Sequence, residues 1–220
     1  MTMARGSRNT VVRQAVDQIR QAIVSGQFEF GQRLIDKELC KLTGASRTSV
    51  REAMRILEGE GIIEAQPHRG IVVATPTRAQ AEQIYAIRAE LEAFAGGHAA
   101  ERASDAEIEA LQQAVDRFGE AVSKKDLTSL VRHADTFYVI LLEASRDDVV
   151  AEMLGNLRAR ISILRSTSMS SPDRGPHSLA EMRAIAEAIA KRNSAAAAKA
   201  CRHHVEMAAK AARSKFDEFL

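Results

Sequence analysis

There is no tryptophan in this chain of 220 residues, prolines number four, and aromatic residues make up 4%. So few breakers and so few strand-favouring rings, beside abundant Ala, Glu, Arg and Leu, point to helix. Two cysteines, Cys40 and Cys201, are too few for a disulfide framework or a thiolate zinc site, which fits a reducing cytosol. No apolar run reaches the roughly 18–20 residues a membrane span needs, and the basic start MTMARGSRNT lacks the apolar core of a secretory signal. What is there is ordinary for a globular protein: 45% hydrophobic and 27% charged residues, which excludes disorder for most of the chain. The length suits one large or two ordinary domains. Net charge is +2, unevenly spread. Residues 1–75 hold 11 Lys and Arg against 8 Asp and Glu, the remainder 20 against 21, so a basic head precedes a slightly acidic body.

The head changes character several times. Val12, Ala15, Ile19 and Ile23 recur at helical spacing, with Gly26 as terminator. A short helix is expected to carry Leu34, Leu39 and Leu42 and to stop at Gly44. Ser46 is a natural N-cap for a third helix with Val50, Met54 and Leu57 on its buried stripe and Gly61 past its end. Ile62–Ala65 and Ile71–Val73, joined by a turn over 66–70, read as a β-hairpin. Helix, helix, Gly-containing turn, helix and hairpin outline a winged helix-turn-helix over residues 1–75. From 76 to 220 the pattern is helical throughout. Capping boxes at Thr77/Gln80, Ser104/Glu107 and Ser178/Glu181 mark helix starts. Ile84, Ile87, Leu91 and Ala95 form one apolar stripe, Ile108, Leu111, Val115 and Phe118 another. Further helices are predicted over 126–145, 148–168 and 194–218, with Ser170–Pro176 as the clearest loop. The expected fold is mainly α: an N-terminal winged helix-turn-helix followed by an all-α antiparallel bundle.

The third helix carries the chemistry. Its N-terminus favours a phosphate anion, and hydroxyls at Ser46, Thr48 and Ser49 add donors. Arg47 and Arg51 share one face, and a guanidinium can bond both O6 and N7 of guanine in a major groove. The competing reading is a solvated helix start with its arginines paired to Glu52 or Asp36. His68-Arg69-Gly70 at the hairpin tip would put a cation against a minor groove or phosphate. No nucleophile–base pair, Gly-rich phosphate loop or HExxH motif is present, so an enzyme is disfavoured. Cys40, near Lys37 and Lys41, raises a redox sensor as an alternative, although its place beside Leu39 favours an inert thiol.

The stretch Gly31-Gln32-Arg33-Leu34, then Glu38-Leu39, Gly44 through Met54, Leu57, Glu60-Gly61 and Arg69-Gly70 resembles the GntR family of bacterial transcription regulators. The remainder looks like the helical ligand-binding domain of its FadR subgroup, through Arg88 and Glu92, Phe137, Leu141, Ala144-Ser145, Glu181, Ile185 and His204. The resemblance implies a homodimer that reads a palindromic double-stranded operator, most simply a repressor, under control of a small effector. By position it implies DNA contacts from Lys37, Ser46, Arg47, Thr48, Ser49, Arg51, His68, Arg69 and Gly70. Many members hold a divalent metal with one Asp and three His. Anchored on Phe137, those positions are Ala134, Tyr138, Met182 and His204, and an alanine and a methionine cannot complete a metal shell. Neither metal nor another cofactor is therefore expected, and Asp135 and His133, one residue off, should point away from the pocket. Ala134, Tyr138, Met182 and His204 instead suit an organic ligand, with Arg88 and Arg165 to meet a carboxylate. The plainer reading of Arg88 is a pair with Glu92 at i+4.

Overall fold

The computed structural model describes the backbone of residues 3–25, 27–171 and 173–218. Met1–Pro76 and Thr77–Leu220 form two compact units, each taken by itself. In the first, α1 (Met3–Val24), α2 (Asp36–Thr43) and α3 (Arg47–Gly59) precede a hairpin of β1 (Ile63–Gln66) and β2 (Gly70–Val73). Val12, Ala15, Ile19 and Ile23 of α1 are all buried, as their spacing predicts; Gly26 lies outside the described residues. Together with Leu39, Val50, Met54, Leu57, Ile62, Ile63, Val72 and Val73 they make one small core. Each fully buried aliphatic side chain stabilises that core by about 1.5–3 kcal/mol.

Ser46 caps α3, its hydroxyl accepting from the Ser49 amide at 3.2 Å. The helix ends where Gly61 adopts φ +70°, which lets Ile62 N–H turn back to Leu57 carbonyl. Leu34 is not helical, contrary to expectation. Arg33 bridges Val72 and Leu34 N–H donates to Ile71 carbonyl, so this stretch is an edge of the hairpin and α2 starts two residues later. The strands pair antiparallel from Ile63↔Val73 to Gln66↔Gly70, one residue further along than predicted on the first strand.

The second unit is an all-helical bundle: α4 (Arg78–Arg102), α5 (Asp105–Lys124), α6 (Leu127–Ser145), α7 (Asp148–Met169), α8 (Arg174–Ala190) and α9 (Ser194–Glu218). Reciprocal capping boxes at Thr77/Gln80 and Ser104/Glu107 start α4 and α5 as the sequence predicts. The third does not exist. Ser178 lies inside α8, because the Glu181 carboxylate that would complete the box is held by Arg174 and His204 instead. Pro176 accordingly belongs to the first turn of α8, where a missing N–H costs nothing, and not to a loop. The buried face of α4 is also rotated from the predicted stripe: Ile84 and Ala95 are inside, but Ile87 is 48% exposed and Arg88 and Glu92 are buried. A pattern count reads apolar residues as core; here a buried ion pair claims that side of the helix.

Candidate DNA interface and effector cavity

Arg47, Thr48, Arg51 and Arg55 are exposed along α3, the arginines one turn apart, opposite the buried Val50, Met54 and Leu57. Arg55 was not singled out from the sequence, although it extends the i, i+4 series. Arg51 donates through Nε to Asp36 Oδ2 at 2.9 Å, as the competing reading foresaw, yet its side chain remains 70% exposed. An exposed pair of this kind is worth little and can exchange for another anion. Lys37, exposed, follows Asp36 in the first turn of α2. Ser49 departs from the expectation of a reaching donor: it is buried, and its hydroxyl lies 3.1 Å from that of Ser46, so it belongs to the cap.

At the hairpin tip His68 has φ +63° and Gly70 φ +79°, conformations that turn the chain within three residues. Arg69 is exposed and donates from Nη1 to Gln66 Oε1 at 3.3 Å and from Nη2 to Gly31 carbonyl at 3.5 Å. A Cβ on Gly70 would meet Arg33 Nε at 3.6 Å, so a second guanidinium, not singled out as a contact from the sequence, lies beside the tip of the hairpin.

In the helical unit, a cavity of about 590 Å³ is bounded by α4, α6 and α7. Glu92, Asp135, Tyr138 and Arg165 supply polar lining, and Val139, Leu142, Leu154 and Ile161 an apolar wall. Arg88 and Glu92 form the i+4 pair at 2.5 Å, both buried. Arg165 is buried against Asp135, which also accepts from the Ser162 hydroxyl at 2.8 Å. Asp135 therefore does not point away. It faces α7 and the cavity, since the wall on that side is made by a neighbouring helix that periodicity cannot locate. Tyr138 has two guanidinium carbons close to its ring, Arg88 at 5.3 Å and Arg165 at 5.1 Å from the ring centre. Its hydroxyl is buried without a hydrogen bond, and burial, then the Glu92 carboxylate, push its pKa well above the usual phenol value. Burial, with Arg88 nearby, brings Arg165 down to about 9.

His204 lies behind this group, its ring 6.0 Å from that of Tyr138. Its Nδ1 contacts Glu181 at 2.7 Å, and Arg174 grips both Glu181 oxygens at 2.7 Å. Burial, only partly offset by Glu181, lowers the His204 pKa. Burial would raise that of Glu181, but His204 and Arg174 outweigh it and hold it at about 2. Ala134 and Met182 are buried in the core and offer no ligand atom of the hard N/O kind. Among the described residues no three His, Cys, Asp or Glu side chains converge as metal ligands would. The residues present do not fit the family's divalent metal. His133 is half-buried on α6, and burial followed by Arg132 and Arg117 lowers its pKa. Cys40 is half-buried and Cys201 buried, the latter's thiol pushed up by burial.

A winged helix-turn-helix with an arginine-lined third helix, followed by a helical unit with a cavity open to solvent, fits the class of DNA-binding regulators. Residues 11–73 match the family of bacterial regulatory proteins named gntR, and residues 83–207 match the FCD domain. The chain belongs to the GntR family and carries an FCD domain, so it is a DNA-binding transcription regulator with an effector-binding domain. It is 28% identical over 185 residues to the uncharacterized HTH-type transcriptional regulator YdhC of Bacillus subtilis, covering 84% of this chain and 83% of that one. To the HTH-type transcriptional repressor RspR of Escherichia coli it is 26% identical, over 86% of this chain and 82% of that protein. The solved structure of McbR/YncC from E. coli shares the fold, with a TM-score of 0.79 at 21% identity over 96% and 99% of the two chains. The family consists of transcription regulators and not enzymes. Among the described residues no helix is long and apolar enough to cross a membrane.

Proposed function

We propose that this protein is a repressor that reads an inverted-repeat operator as a homodimer and responds to a small organic acid in the α4–α6–α7 cavity. The exposed Arg47–Arg51 face of α3 is the observation that carries the DNA reading. Thr48 and the α3 N-terminus meet the backbone of the major groove, Lys37 contacts a phosphate, and His68, Arg69 and Gly70 approach the neighbouring groove. Arg47→Ala and Arg51→Ala are each expected to cost about 1–3 kcal/mol on operator DNA and to relax preference at one G·C pair. Equal losses on operator and random duplexes would reduce both to phosphate contacts. Arg69→Ala is expected to flatten the salt dependence of binding by about one unit of slope, measured by fluorescence anisotropy across salt concentrations.

One recognition helix spans too few base pairs for genomic specificity, and a two-fold partner doubles the site. Support for a dimer through the helical domain comes from large apolar side chains left in water. Ile87 and Phe94 on α4 are 48% and 52% exposed, and Val149 and Met153 at the start of α7 are 70% and 48% exposed. His98, whose ring packs on Phe94, lies 2.8 Å from Asp147 at the start of α7, and Ile87 follows two turns back on the same side of α4 as Phe94. Phe94→Arg is expected to yield a monomer at micromolar concentration by sedimentation and to weaken operator binding more than tenfold, since half-sites would be bound singly. An unchanged dimer would place the interface elsewhere.

The name of RspR supports the repressor sense. For the effector, the support is the cavity itself, with buried Arg165 and the Tyr138 hydroxyl as anchors for a carboxylate. His204, Met182 and Ala134 then act as the floor behind Tyr138, and Arg88 as the charge that holds Glu92.

A further inference from the structure

At the polar end of the cavity the buried acids are already paired. Asp135 is answered by Arg165, and Glu92 by Arg88 behind the lining, while the exposed remainder of the lining adds Glu143 and Asp148 against Arg146 and Arg158. A simple carboxylate that takes Arg165 would displace Asp135 and leave it with Ser162 alone. A half-buried anion stripped of its partner is costly, so a plain acid works against its own binding. An amine alone has the opposite fault. A molecule that brings both charges replaces one ion pair with two and strands neither group. The Tyr138 hydroxyl, unbonded at the same end, adds a donor, and the apolar wall of Val139, Leu142, Leu154 and Ile161 lies beside it.

We propose that the cavity takes a zwitterionic α-amino acid with an apolar side chain. Its carboxylate meets Arg165 and the Tyr138 hydroxyl, its ammonium meets Asp135 and Glu92, and its side chain lies on the apolar wall. This rests on the cavity being the effector site and narrows an organic acid to one that also carries an amine. No metal takes part.

The test is calorimetry on the full-length protein in the presence of chelator. Leucine, phenylalanine and methionine are each compared with the matching acid that lacks the amine and the matching amine that lacks the carboxylate. At least one amino acid is expected to bind, with its acid and its amine each weaker by about 30-fold or more, because a site built for a polar group strongly rejects the analogue without it. Asp135→Asn is expected to erase the preference over the deaminated acid. Tyr138→Phe, which keeps the ring beside the two arginines, is expected to weaken the amino acid by about tenfold. An acid that binds as tightly as its amino acid overturns the zwitterion while sparing the organic-acid reading. Silence from every compound at millimolar concentration overturns both.

Discussion

Replacing Glu181 by glutamine is expected to destabilise the helical domain at neutral pH by about 3–5 kcal/mol, the usual cost of removing one partner from a buried ion pair. Arg174, 4% exposed, would lose the carboxylate that accepts from both its terminal nitrogens, and His204 the acceptor for its ring N–H. The loss should depend on pH in a definite sense. Glu181 has its pKa held at about 2 in the folded protein, below the unfolded value of about 4.3, so its contribution is complete above that unfolded value. It is lost as pH falls through about 2. His204 acts in the same direction: its folded pKa is lowered, so below about 6.5 the unfolded chain takes a proton that the folded one refuses. Wild-type protein should thus lose stability on acidification, and the gap to Glu181→Gln should narrow as pH approaches 2. Urea midpoints followed at neutral and acid pH read both effects. A gap that stays constant with pH would mean that the carboxylate charge is not what matters at this position.

The second large effect concerns the seam between α4 and α9. Gly→Ala inside a helix normally stabilises by about 1 kcal/mol. At Gly96 the sign should reverse, because an added Cβ would lie 2.5 Å from Cys201 Sγ and 3.4 Å from the Ala197 carbonyl oxygen. Gly96→Ala is expected to cost about 1–3 kcal/mol, as overpacking does. Adding Cys201→Ala should recover part of this, since it removes the sulfur that obstructs the new methyl. Gly155 supplies the contrast: nothing lies within 4 Å of its Cβ position on α7, and Gly155→Ala should raise the thermal midpoint. A stabilising Gly96→Ala would show that the two helices are further apart than their glycine contact implies.

Much of the molecule was legible without coordinates, and the physical reason differs by element. Ser46, Thr77 and Ser104 announce helix starts because capping is local: a hydroxyl reaches an amide three residues away whatever the rest of the chain does. The core face of α3 could be read because its apolar residues repeat at 3.6 and nothing buried interrupts them. The order of helices and hairpin follows from the same local signals, while the regulator family was legible through the resemblance of the motifs along α2, α3 and the hairpin.

Tertiary structure decided what no local rule contains. Ser178 and Glu181 satisfy the capping pattern, yet a histidine on α9 and an arginine in the first turn of α8 have the stronger claim on that carboxylate. Ile87 keeps the period of a core residue and lies in water, because the Arg88–Glu92 pair occupies the buried side of α4. Asp135 turns to the cavity because Ser162 and Arg165 are waiting on α7, 27 and 30 residues along the chain. Sequence by itself determined where α3, α4 and α5 begin and which face of α3 is polar, since these depend on neighbours within one turn. Which charges pair inside the bundle was settled only when distant helices came into contact.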